Sequence, residues 1–191
     1  MQAQRRRPRL TGRGRRAYSA GMKRLPRKTR PDWDTYFMDI AQVVKRRSNC
    51  LRRDVAALIV QNRRIISTGY NGTPSGLRNC CDGGCPRCAG DAPTGSRLDE
   101  CICAHAEENA ILQAAHYGVA LEGATLYCTD SPCLLCAKMI VSAGIREVVY
   151  EAPYRSADQA ARLLKTAGVR CRRFVRRPAP AAGRPPTPRA G

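Results

Sequence analysis

Apolar side chains recur at Trp33, Phe37, Ile40 and Val44, with Asp32 and Asp34 ahead of them and Lys45, Arg46 and Arg47 behind. That spacing marks one face of a helix, and the charges suit its dipole at both ends, so a helix is predicted over 32–47. Val55 to Val60 is an unbroken apolar run and Arg63 to Thr68, centred on Ile65-Ile66, a second strand candidate; with only Gln61-Asn62 between them they read as a β-hairpin. From 69 to 104 the periodicity is lost in Gly, Pro and Cys, which predicts a long irregular insertion. It resumes at His105, where Ala106, Ala110, Ile111, Ala114 and Ala115 mark a buried helix running to Tyr117. A strand at 124–128, a helix at 132–143, a strand at 147–150, a helix at 156–167 and a short strand at 170–174 follow. This alternation predicts an α/β protein, a three-layer α-β-α sandwich around a central mixed sheet of about five strands, with crossover helices on both faces. No internal repeat is visible.

Composition alters the picture mainly at the ends. The chain has 191 residues and a net charge of +19, which resembles a nucleic-acid binder until the charge is mapped. Residues 1–30 hold 12 Lys and Arg with no acid, and 169–191 hold 7 with no acid, so the remaining 15 basic residues face all 15 acids. The middle is neutral. The division expected is a disordered basic extension at 1–30, a folded domain at 31–175 and a disordered Arg/Pro-rich tail at 176–191. The acid-free N-terminus also has the composition of an organelle transit peptide, with Arg16-Ala17-Tyr18-Ser19 as a mitochondrial-type processing site; alternatively, Met22 is the functional start. A cytoplasmic protein is expected, with an organelle as the second choice. No apolar run is long enough to span a membrane and none has the form of a secretory signal. Eleven cysteines, two of them in a Cys-x-x-Cys pair at 133–136, point to a reducing compartment and to metal.

The chemistry concentrates in His105-Ala106-Glu107 and, downstream, Pro132-Cys133-Leu134-Leu135-Cys136. One imidazole and two thiolates give zinc three protein ligands and leave the fourth tetrahedral position open, as a catalytic site requires. Their order, with a glutamate two residues past the histidine, is that of zinc deaminases acting on nucleobases. Pro132 suits the first position of a helix capped by Ser131, which would put both cysteines in the first turn, where the helix dipole favours thiolates. Glu107 is the expected proton carrier: it takes a proton from water made acidic by the metal, passes it to the ring nitrogen beside the attacked carbon, and later protonates the departing ammonia. The bland alternative is a zinc ribbon in which Glu107 is an ordinary surface residue.

Further residues extend this into a resemblance. Thr-Gly-Tyr-Asn-Gly-Thr-Pro at 68–74, Asn-Cys-Cys-Asp-Gly-Gly-Cys-Pro-Arg-Cys at 79–88, Cys-Ile-Cys-Ala-His-Ala-Glu-Glu-Asn-Ala-Ile at 101–111 and Ser-Pro-Cys-Leu-Leu-Cys at 131–136 make the stretch from Trp33 to Phe174 resemble the deoxycytidylate deaminases of the cytidine deaminase-like fold. The Gly-Gly-Cys-Pro-Arg-Cys variant is most similar to fungal-type members. The resemblance implies conversion of dCMP to dUMP and ammonia, which supplies dUMP for dTTP synthesis, with His105, Cys133 and Cys136 on a catalytic Zn2+ and Glu107 as acid and base. It also implies that Asn71 meets the sugar and Tyr154 lies near the 5′-phosphate, where Arg155 and Arg78 are candidate donors. As in many family members, the resemblance implies dCTP as activator and dTTP as inhibitor at a subunit interface. Gly72, Gln113 and His116 are the matching positions here, and a homo-oligomer is implied.

Seven cysteines bracket the insertion, at 50, 80, 81, 85, 88, 101 and 103, and look like ligands for a second, structural Zn2+. Cys50 and Cys80 match positions that some relatives use for such an ion. The expected set is Cys50, Cys80, Cys85 and Cys88, with Cys103 as the rival; otherwise several are buried free thiols. Cys128 and Cys171, on strands, are expected in the core. Two competing functions follow from the same motifs. A tRNA or other nucleic-acid base deaminase would draw on the basic ends, but the neutral middle and an aromatic content of 5% speak against it. A zinc-stabilised nucleic-acid-binding relative without activity would have no need of Glu107. A pterin or riboflavin-pathway deaminase would share the motifs, but no reductase segment follows.

Overall fold

The computed structural model describes residues 30–93, 96–154 and 157–176. The readings made for the two basic ends, including the transit segment and the start at Met22, lie outside these residues, as does Arg155. Among the described residues no helix is long and apolar enough to cross a membrane.

Helix α1 runs Trp33–Lys45, strand β1 Ala56–Gln61 and strand β2 Arg64–Tyr70; α2 is a single turn, Pro86–Ala89, within the insertion. Then come α3 (Ala106–His116), β3 (Thr125–Asp130), α4 (Leu134–Ser142), β4 (Glu147–Ala152), α5 (Ala157–Thr166) and β5 (Arg170–Arg173). The strands form one sheet in the order β2-β1-β3-β4-β5; β1 is antiparallel to both neighbours, and β3, β4 and β5 are parallel. The predicted mixed sheet of five strands is therefore present.

The hairpin differs in detail from its prediction. Asn62 and Arg63, with φ of 52° and 63°, form the two-residue turn, because a hairpin that follows the twist of its strands needs both central residues left-handed. A register shift between Ile59 and Val60 places Ile59 opposite Ser67 and Val60 opposite Ile65.

The sheet buries both faces, and alternation along each strand divides its side chains. Leu58, Val60, Tyr127 and Val149 meet Phe37, Met38 and Ala41 of α1. Ala57, Ile59, Leu126, Cys128 and Val148 meet α3, α4 and α5 through Ala106, Ala110, Ala137, Ile140, Ala160 and Leu164. The crossover helices α4 and α5 thus lie on one face, and among the described residues α1 covers the other. This corrects the expectation of crossovers on both faces. The parallel strands advance in one direction across the sheet, and right-handed connections taken repeatedly in one direction place every helix on the same side.

In α1 the buried stripe is Phe37, Met38 and Ala41, while Trp33, expected inside, is 41% exposed and stacks on Phe37 with centroids 5.6 Å apart. Asp32 caps the helix by accepting from the Thr35 N–H at 2.7 Å. Cys128 is in the core as expected, but Cys171 is exposed, because β5 is an edge strand. The basic stretch at 170–176 also turns out to be built in. Arg172 donates to both carboxylate oxygens of Asp34 at 2.7 and 3.0 Å and to Glu147 at 2.8 Å. Arg170 pairs with Glu147 at 2.9 Å and Arg176 with Asp39 at 2.6 Å. Tyr127 adds a hydrogen bond to Asp34 at 2.8 Å, so the first turn of α1 is tied to β3 and β5 together.

Gly69 in β2 sets how closely α3 can approach. A Cβ there would collide with the Ala106 carbonyl oxygen and the Ala110 backbone nitrogen. With no side chain between them, the start of α3 lies directly on the strand. Gly69→Ala is expected to cost about 1–3 kcal/mol by overpacking as the first turn of α3 is pushed off β2. Thermal denaturation tests this; an unchanged Tm would show that the contact is not tight.

Candidate active site

Because β1 alone runs opposite to the rest, the C-terminal ends of β2, β3 and β4 share one edge of the sheet with the start of β1. A crevice at that edge is where open α/β sheets bind ligands. A cavity opens there, lined by Arg53 and Val55 before β1, Asn71 after β2, Asp130, Ser131 and Cys133 at the end of β3, Tyr154 after β4, and His105 and Glu107 at the start of α3.

His105 is the N-cap residue of α3, in extended conformation at φ −77° and ψ 160°, and its backbone N–H donates to the Glu108 carboxylate at 3.1 Å. Cys133 is the N-cap residue of α4, at φ −77° and ψ 173°, and Cys136 follows in its first turn. Ser131 therefore does not cap this helix, contrary to the sequence reading. Its N–H continues the ladder to the Ala152 carbonyl at 2.8 Å, and its hydroxyl accepts from the Tyr154 N–H at 2.7 Å.

The two helix starts bring three donor atoms together. His105 Nδ1 is 3.3 Å from Cys136 Sγ and 3.4 Å from Cys133 Sγ, and all three lie within 4.8 Å of one another. In a tetrahedral zinc site with N and S ligands at their usual bond lengths the N···S edge is about 3.6 Å, so the triangle fits that ion. Their proton affinities are interlocked. Cys133 is drawn down to about 4, first by the Cys136 thiol that donates to it and then, against burial, by His105. Cys136, giving its hydrogen bond to Cys133 and buried, is pushed far up. The bond to Cys133 lifts His105 to about 9 against the opposing effect of burial. A metal competes for the same atoms, so its binding releases protons.

Glu107, in the second position of α3, is 4% exposed. Burial raises its carboxyl to about 7, opposed by its own backbone N–H, by His105 and by the Cys136 thiol. A carboxyl poised there can both take and give a proton near neutrality.

Asn71 lines the cavity, but most of its amide is engaged. Its oxygen accepts from the Val55 N–H and the Ser48 hydroxyl, both at 2.8 Å, and its nitrogen donates to the Arg53 carbonyl at 2.7 Å. It holds the loop between α1 and β1 in place and keeps one N–H in reserve. Arg78 is exposed and is not part of the cavity lining. The arginine that does reach it, which the sequence reading passed over, is Arg53. Its guanidinium pairs with Asp130 at 2.7 Å and lies over the Tyr154 ring, 5.1 Å from the centroid. Nothing local marks Arg53 out, since it reaches the site only through the antiparallel placement of β1.

Gly72, Gln113 and His116 are not gathered in this cavity. Gly72 is buried and paired with Ala104, Gln113 accepts from the Thr68 N–H at 3.3 Å, and His116 is exposed at the far end of α3, edge-on to Tyr117. The expected structural-metal set is also redrawn. Cys50, Cys80, Cys88 and Cys103 form one tetrad, while Cys85 groups with Cys88, Cys101 and Cys103. Cys101 is the ligand candidate left out of the expected set.

Fold and site now stand beside known proteins. Residues 31–152 match the family described as the cytidine and deoxycytidylate deaminase zinc-binding region, and the chain belongs to that family. It is 47% identical over 150 residues to a deoxycytidylate deaminase of Schizosaccharomyces pombe, a match covering 78% of this chain and 46% of the relative. It is 50% identical over 146 residues to that of Saccharomyces cerevisiae, covering 76% and 46%. The chain thus spans about half the length of these curated relatives. Among solved structures, the dCMP deaminase of cyanophage S-TIM5 in complex with dCMP and dUMP superposes with a TM-score of 0.63 at 34% identity, covering 77% of this chain and all of that one.

With metal removed by chelation, Cys133 is expected to react with iodoacetamide at pH 6, where an ordinary thiol is only about 0.3% thiolate. Peptide mass mapping reads the label, and zinc should suppress it. An unlabelled Cys133 at that pH would mean the helix-start thiolate does not form.

Proposed function

We propose that the protein hydrolyses dCMP to dUMP and ammonia, and that His105, Cys133 and Cys136 hold the catalytic zinc. The observation that carries this reading is the imidazole–dithiol triangle at two helix starts with the buried carboxyl of Glu107 beside it. The relatives named deoxycytidylate deaminase and the phage enzyme that binds dCMP and dUMP support the choice of substrate. When bound, zinc makes water acidic enough to attack at neutral pH. The chain's own residues do the rest. Glu107 accepts one proton from the attacking water and hands it to the ring nitrogen next to the amino-bearing carbon; it then takes the second proton from the added hydroxyl and gives it to the amine, so that ammonia departs and a carbonyl remains. Asn71 offers its remaining N–H to the sugar. Arg53, held over Tyr154, supplies the charge-assisted donor that a phosphate dianion needs.

A structural zinc among the cysteines of the insertion, a homo-oligomer and control by dCTP and dTTP through Gly72, Gln113 and His116 belong to the same proposal. The exposure of Gln113 and His116 on α3 is compatible with a role at a subunit contact. A cytoplasmic site of action completes it.

Ammonia release from dCMP, deoxycytidine, dCTP and a tRNA tests the reading, with dCMP expected to give the highest kcat/KM. Turnover of the tRNA alone, or of none of them, would overturn it. Glu107→Gln is expected to retain zinc while losing turnover by about 10²–10⁴-fold; full activity would remove Glu107 from the reaction. Arg53→Gln should lower kcat/KM for dCMP by about 10- to 100-fold, the worth of a hydrogen bond to a charged group, with much less effect on deoxycytidine. An equal loss on both substrates would deny Arg53 the phosphate.

A further inference from the structure

Six thiols outside the active site converge where the loop after α1, the turns at 80–89 and the run-up to α3 meet. Cys80, Cys85, Cys88 and Cys103 are buried, and Cys50 and Cys101 are packed against them. All are free thiols. Cys88 Sγ lies 4.0 Å from Cys50 and 3.6 Å from Cys101, and Cys85 is 3.9 Å from Cys101. A disulfide would need about 2.05 Å, whereas the S···S edge of a tetrahedral zinc–thiolate site is about 3.8 Å. The spacings match the second.

The six divide into two tetrads, each with all its sulfurs within 4.8 Å of one another: Cys50, Cys80, Cys88 and Cys103 in one, and Cys85, Cys88, Cys101 and Cys103 in the other. Cys88 and Cys103 belong to both. Two tetrahedra that share two corners share an edge, the arrangement of two metals joined by a pair of bridging sulfurs. A single ion in the first tetrad would leave Cys85 and Cys101 idle, and in the second Cys50 and Cys80.

We propose that these six cysteines hold two zinc ions in one binuclear thiolate cluster, with Cys88 and Cys103 bridging. This goes beyond the single structural zinc of the proposed reading and stands whether or not dCMP is the substrate. On assembly, two Zn2+ displace six thiol protons and leave a cluster of net charge −2; no electron changes hands. Arg87 offers an independent sign of that charge. It sits between Cys85 and Cys88 in the chain and is 6% exposed, and among the described residues its guanidinium donates to the carbonyl oxygens of Pro93 at 3.1 Å and Ser96 at 3.2 and 2.6 Å. No carboxylate lies within ion-pair distance of it among the described residues. A buried cation without a counter-charge is costly, and a dianionic cluster whose Cys88, Cys101 and Cys103 line the same cavity as Arg87 supplies one. Arg52 adds a second guanidinium, donating to the Cys88 carbonyl at 2.7 Å and to that of Gly90.

The cluster would also build the site. Cys50, Cys88, Cys101 and Cys103 line the same cavity as Glu107. Cys50 anchors the loop that carries Arg52 and Arg53, and Cys103 stands two residues before His105. One wall of the cavity is then metal-stapled from three separate stretches of chain.

The full-length protein, reconstituted with excess Zn2+ and desalted, is expected to hold three zinc ions per chain by elemental analysis against quantitative amino-acid analysis. Two per chain that fall to one in His105→Ala would mean a single structural ion and would overturn the proposal, as would one per chain, or iron in place of zinc. His105→Ala should lower the count from three to two by emptying the active site alone, and Cys101→Ser should lower it from three to two by removing a terminal ligand of one cluster ion. Should Cys101→Ser not fold, wild-type protein exchanged with cadmium-113 decides by NMR: two tetrathiolate resonances coupled to each other support the bridge, and a single one, or two uncoupled, overturns it. Three zinc ions without turnover of dCMP would sink the deaminase reading and leave the cluster standing; two with turnover would do the reverse.

Discussion

The rest of the structure depends on one geometric constraint: two helices must begin at the same edge of one sheet, close enough for three side-chain atoms to share an ion. β2 and β3 run parallel although they are separated by the opposing β1. The chain therefore leaves both strands at the same edge, once toward α3 and once toward α4. Gly69 removes the side chain that would hold α3 away from β2, and the Gly72–Ala104 bridge returns the long insertion to the start of that helix. His105 and Cys133 then occupy equivalent N-cap positions, where unpaired backbone N–H groups and the helix dipole favour negative charge on sulfur.

Around this centre, acidic and basic groups divide the work by position. At the opposite end of the α1 layer, Arg172 gathers Asp34 and Glu147 into a network joining helix to sheet. Burial alone would raise Glu147, but Arg172 and Arg170 draw its carboxyl below the ordinary value. That network is structural. At the cavity, burial outweighs the opposing pull of His105 on Glu107, so its carboxyl moves in the opposite direction, toward neutrality. The same side chain thus serves as an anchor in one place and has the proton affinity that the proposed reaction requires in the other, decided by whether paired arginines or burial dominate.

How much of this was legible follows from the range of each signal. The elements were readable because periodicity is local: outside the insertion, where the single turn α2 was not foreseen, each helix and strand lies within a few residues of its predicted bounds. Errors fell where a neighbour in space overrode the local pattern. Ser131 looked like a helix cap, but the β3–β4 ladder claims its backbone and the Tyr154 amide claims its hydroxyl. Trp33 looked like core, but the helix turns so that Met38 and Ala41 fill that place.

The chain's order of residues determined the chemistry on offer: an imidazole, a carboxylate and two thiols at helix-start spacing, a cysteine-rich insertion, and a neutral domain with basic ends. Only the tertiary structure decided which groups work together. It replaced Arg78 with Arg53 at the cavity, gave Cys101 a place among the thiols, and made Cys88 and Cys103 common to two tetrads. The physical reason is that capping, dipole and periodicity act over a few residues and are written in the order of the chain. Metal geometry and charge pairing act over a few ångströms between stretches that only the sheet topology brings together.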